Sequence, residues 1–96
     1  MKKIVIYQDV TEDGLFNGDF TGVDFTKSRE KFVNLLMKAM RNRFPKCDIE
    51  IVELYQSTMK SVEISGFDRK DFDYTLSLAE VIIGEVYSDF QWIVLE

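Results

Sequence analysis

The chain has no histidine, one cysteine (Cys47) and one proline (Pro45) in 96 residues. The missing histidine removes the commonest general base, the commonest metal ligand and the usual near-neutral pH switch. Ser-His and Cys-His nucleophile pairs are excluded with it. A single cysteine cannot close an intramolecular disulfide, which fits a reducing compartment. One Cys and no His also leave no ligand set for a structural zinc. Nothing approaches the ~18 consecutive apolar residues of a membrane span. The opening MKKIVIYQDV is too short in its apolar stretch for a signal peptide, because Gln8 and Asp9 close it. A soluble cytoplasmic protein is expected. Gly-rich phosphate loops are absent: GLFNGDFTG lacks the Lys-Ser/Thr end of a P-loop and the spacing of a dinucleotide turn. Carboxylates are plentiful, but no spacing selects an acid-base pair. The sequence therefore predicts no enzyme and no cofactor.

What is present suffices for one folded domain spanning 1–96. The chain is 46% hydrophobic and 14% aromatic, enough for a real core. Its net charge of −5 is unevenly spread. Residues 8–25 carry only acids: Asp9, Glu12, Asp13, Asp19 and Asp24. Residues 26–46 carry Lys27, Arg29, Lys31, Lys38, Arg41, Arg43 and Lys46 against the single acid Glu30. From Cys47 onward the chain is acidic again. It is an acidic body with one basic segment.

Periodicity gives the element order. KKIVIYQ predicts a central strand over 2–8, apolar on both faces. Residues 9–25 predict a loop punctuated by Gly14, Gly18 and Gly22, with a small hairpin about Asn17-Gly18 as one arrangement. Phe32, Leu35/Leu36, Ala39/Met40 and Phe44 recur at helical spacing, so a helix is predicted over 26–44, capped by Asp24 or Thr26 and ended by Pro45. CDIEIVELYQ predicts a second strand, 47–55. Its alternation breaks at Val52 and Leu54, which implies a bulge or two partly covered faces. MKSVEISG predicts a third strand, 59–65, joined to the second by a hairpin through STMK. From Asp68 a second helix is predicted through Val86, with Asp68 as N-cap and Asp71 at N3. FQWIVLE then closes the chain as a strand. An alternative ends the helix near Glu80 and forms a C-terminal hairpin about Ser88-Asp89. The preferred order, β-α-β-β-α-β, predicts an α+β ferredoxin-like sandwich: two helices on one face of a four-stranded antiparallel sheet.

Three constellations are candidate sites. DVTEDG, residues 9–14, has the Asp-x-Thr-x-Asp-Gly order of a calcium loop, but Phe20 stands where the bidentate Glu belongs, and the preceding element is a strand. No metal site is expected there. The same acidic stretch carries Phe16, Phe20 and Phe25, and aromatics ringed by charge suit a protein interface. Asp9, Glu12, Asp13, Phe16, Asp19, Phe20 and Asp24 are thus candidate partner-binding residues, provided that the phenylalanines point outward. If they fold inward, the stretch is a connection with a packed underside. Third, Lys27, Lys31, Lys38 and Arg41 share one helix face that can meet phosphates. The acidic total and the lack of stacking aromatics on the third strand argue against nucleic acid, and Tyr7 alone makes no platform. Cys47 reads as an unreactive small side chain and Trp92 as core.

The function expected is a non-enzymatic, acidic protein-binding or regulatory module. In kind, though in no motif, the chain looks like the small inhibitor proteins of phages and mobile elements, such as anti-CRISPR and anti-restriction proteins. That likeness implies an acidic nucleic-acid mimic acting on a bacterial defence nuclease. A further alternative is a nucleic-acid binder using the basic helix. A homodimer through a sheet edge is also compatible with the pattern.

Overall fold

The computed structural model describes residues 1–16, 21–55 and 61–96, with backbone alone at 12, 13 and 61. Six elements follow in chain order: β1 (Lys3–Asp9), α1 (Glu12–Phe16), α2 (Phe25–Arg43), β2 (Asp48–Leu54), β3 (Ser61–Ser65) and α3 (Arg69–Asp89). The class is α+β. The described strands make a three-stranded mixed sheet in the order β2-β1-β3.

The expected four-stranded antiparallel sheet is corrected in two respects. First, α2 carries the chain back over the sheet, so β2 runs parallel to β1, with Ile4 beside Ile49 and Ile6 beside Ile51. β3 pairs antiparallel with the opposite edge of β1, Ile4 beside Ile64. β1 therefore separates β2 from β3, and these two do not pair as a hairpin. Second, FQWIVLE is not a sheet strand. Leu95 makes an isolated bridge to Val23, and Asp24 N–H donates to the Val94 carbonyl at 2.8 Å. The C-terminal segment is tied to the start of α2. Ser28 strengthens that tie, its Oγ accepting from Val94 N–H at 2.8 Å.

Helix α2 forms where the spacing predicts. Asp24 caps it, its Oδ1 accepting from Lys27 N–H at 3.0 Å. Phe32, Leu36 and Met40 make its buried stripe, each contributing about 2 kcal/mol on burial. Helix α3 runs unbroken through Gly84 to Asp89, so the C-terminal hairpin does not form. Asp68 occupies the N-cap position without a side-chain cap bond, and Asp71 lies in the first turn. Phe90, with φ 55°, ends the helix in the left-handed conformation. Both long helices pack on the Ile4/Ile6 face of the sheet. Phe32, Leu36, Met40, Ala79, Ile82 and Ile83 meet Ile4, Ile6 and Ile49 in one cluster, and fully buried Trp92 closes it. Cys47 packs half-buried at its margin. Among the described residues no helix is long and apolar enough to cross a membrane.

Candidate functional site

In its described part, residues 9–16 and 21–25, the acidic stretch is not the outward-facing aromatic loop that its composition suggests. Residues 12–16 are helical, and Thr11 is the reason. Its Oγ1 accepts from Gly14 N–H at 3.0 Å, and its carbonyl accepts from Leu15 N–H at 2.9 Å. Asp9 holds Thr11 in turn: its Oδ1 accepts from Thr11 N–H at 2.8 Å and from Thr11 Oγ1 at 2.6 Å. The calcium-like spacing of Asp9, Thr11 and Gly14 is thus the spacing of a capped turn. Among the described residues no cluster of three or more Cys, Asp or Glu is placed to hold a metal ion.

Phe16 is 0% exposed. Its ring meets Phe25 at 4.7 Å and Trp92 at 5.3 Å, both edge-on. This corrects its role as an exposed anchor: the aromatic cluster needs its volume, so it points inward. Asp9 is buried and Asp24 caps α2. Glu12 and Asp13 lie on α1, with side chains outside the described set, and Asp19 and Phe20 lie outside the described residues. Of the basic face, Lys27, Lys31, Lys38 and Arg41 are all exposed on α2, as their spacing predicts.

The arrangement that stands out is the second face of the sheet. Side chains alternate along a strand, so helices on the Ile4/Ile6 side leave Lys3, Val5 and Tyr7 on the other. The register sets their neighbours. Val5 lies between Glu50 of β2 and Glu63 of β3; Tyr7 lies beside Val52. Lys3 lies between Asp48 and Ser65, and Leu54 follows Val52 at the carboxyl end of β2. Val5, Tyr7, Val52 and Leu54 are half-buried, and none belongs to the core cluster. Parallel strand pairs are almost always covered on both faces. Here, among the described residues, helices cover the β1–β2 pair on one face alone.

The charges on this face are mostly of one sign. Lys3 Nζ lies 3.3 Å from Glu50 Oε1. That pair is about half exposed and contributes at most ~1 kcal/mol. Tyr7 donates its hydroxyl to Glu63 Oε2 at 3.3 Å. The Glu63 carboxylate repels the phenolate, and with desolvation and this hydrogen bond it raises the Tyr7 pKa above its ordinary value. The result is a flat surface: an apolar and aromatic end (Tyr7, Val52, Leu54) and an acidic end (Asp48, Glu50, Glu63). Sequence reasoning passed over these residues, although the broken alternation at Val52 and Leu54 was their signal. The register of β1 with β2 is continuous, so no bulge absorbs the break. Val52 and Leu54 lie on the face away from the helices.

No family model, curated protein or solved structure matches the chain.

Proposed function

We propose that this protein is a non-enzymatic binding module that docks a protein partner on the bare face of its sheet. The carrying observation is the uncovered parallel pair, with Val5, Tyr7, Val52 and Leu54 half-buried beside Glu50 and Glu63. A flat face with an aromatic, apolar end and an acidic end suits a macromolecule better than a small ligand. The acids select a partner with an apolar patch bordered by Lys or Arg, and they speed its encounter at low salt. A partner whose basic surface normally holds nucleic acid fits this description, which keeps the inhibitor alternative within the same site.

Affinity capture from native cytosol tests this with paired variants. Wild type and a Lys27→Glu control should retain the same partner. Glu50→Lys combined with Glu63→Lys should lose it, and so should Val52→Asp, with thermal midpoints near wild type for the charge variants. Heparin added to the bound complex separates the two versions: displacement marks a nucleic-acid-binding partner. Identical capture by wild type and all face variants would refute the assignment.

A further inference from the structure

The outer surface of the helix layer differs from the sheet face in its charge pattern. It carries both signs and keeps them on opposite sides. Helix α2 presents Lys31, Leu35, Lys38 and Asn42 at helical spacing. Helix α3 presents Tyr74, Leu78, Val81 and Glu85 at the same spacing. Tyr74 and Val81 are 65% and 52% exposed, high for large apolar side chains on a helix. Between the helices runs a groove floored by Ala39, Ile82 and Val86. Lys38 and Asp89 border one depression of the groove, and Arg43 and Glu85 border the adjoining one. None of these four makes an ion pair among the described residues.

From this pattern we infer that the helix layer is the interface of a homodimer, its occupant a second copy of the chain. A two-fold interface uses one patch twice, so the patch must complement itself. An axis along the groove exchanges its sides and preserves height. It lays the α2 of one copy over the α3 of the other. Lys38 and Asp89 share a height, so each meets the opposite charge of the second copy. The groove floor at Ala39 and Val86 is covered in the same step, whereas Tyr74 lies beyond the end of α2 and stays exposed. The bare sheet face fails this requirement, because a two-fold there gathers the Glu50 and Glu63 carboxylates of both copies on one surface. This inference does not depend on the sheet-face proposal. The dimer leaves both bare sheet faces outward and makes the protein bivalent.

Sedimentation velocity on the whole chain, from roughly 5 to 500 µM, tests it at about 50 and 500 mM NaCl. The mass should rise with concentration from 11.2 kDa toward twice that value, less readily at high salt. Lys38→Glu alone and Asp89→Lys alone should each raise the dissociation constant at least about tenfold, since like charges then oppose across the interface. An equimolar mixture of the two should recover wild-type dimer, because each copy supplies the charge that the other needs. Far-UV circular dichroism confirms that each variant is folded. A monomer at every concentration overturns the proposal. So does a dimer that survives the reversals, or reversals that the mixture does not rescue.

Discussion

Replacing Phe16 with alanine separates a packed aromatic from an exposed anchor. Phe16 is fully buried, its ring edge-on to Phe25 and Trp92. Removing a buried phenylalanine costs about 3–5 kcal/mol through lost transfer energy and the cavity left behind. The two edge-on ring contacts put the loss at the upper end of that range, since such pairs add ~0.5–1.5 kcal/mol beyond their buried area. A domain of 96 residues has ~5–14 kcal/mol in total. Phe16→Ala therefore removes a third or more of the stability. With an unfolding entropy of about 0.2 kcal/mol/K for this length, the thermal midpoint should fall by ~15–25 °C. Phe16→Leu, which keeps most of the volume, should fall by only about a third as much. Near-UV circular dichroism should report the disturbed Trp92 environment, and calorimetry the midpoint. A fall under about 3 °C for Phe16→Ala would show the ring exposed in solution and return the acidic stretch to candidacy as an interface.

Two further outcomes test the loop cap and the sheet face. A Cβ at Gly14 collides with the Asp9 carboxylate, so Gly14→Ala should destabilise by about 1–3 kcal/mol in urea melts; a neutral result would mean that Asp9 does not pack on α1. Absorbance titration of wild type minus Tyr7→Phe should show Tyr7 ionising above the ordinary phenol value, and Glu63→Gln should bring it back down, because the repelling carboxylate is its largest cause. The sign of the linkage follows. A folded-state pKa above the unfolded one gives stability that is complete below pH ~10 and is lost as pH rises through the folded value, so wild type should lose this increment in alkali and Glu63→Gln should lose less of it.

The legible parts of the fold were those with long periodic signals. Phe32, Leu36 and Met40 mark α2 to within a residue at each end, and Asp24 marks its cap. Helix α3 was harder, because Gly84 and the β-branched Val81, Ile82 and Ile83 read equally as strand. Burial of Ala79, Ile82 and Ile83 on one side settles it. Strand pairing was not legible. A strand sequence records which of its faces is apolar, and it does not record its neighbour. VEISG fits either edge of β1 equally well, and a four-residue link suggested a hairpin that the insertion of β1 rules out. The short helix after Asp9 was read as loop for a different reason. Asp, Thr and Gly at those spacings serve calcium loops and helix caps alike, and only the side-chain hydrogen bonds of Asp9 and Thr11 distinguish them.

The charge pattern constrains function more tightly than the fold does. A net charge of −5 in a chain of this size would be unremarkable if it were mixed over the surface. Here it is sorted by face. Among the described residues, Asp48, Glu50 and Glu63 share the bare sheet face with Lys3 alone opposing them, while α2 and α3 set Lys38 and Arg43 across from Glu85 and Asp89. A surface of one sign disfavours its own copy and favours a foreign partner of the other sign; a surface split into two signs can complement itself. The two proposals therefore assign different occupants to the two faces. If a basic partner binds the sheet face and a second copy binds the helix face, reversing Glu50 and Glu63 abolishes the first association and leaves the second intact. Reversing Lys38 does the opposite. A single variant that abolished both would mean that one surface serves both, and the assignment by charge would be wrong.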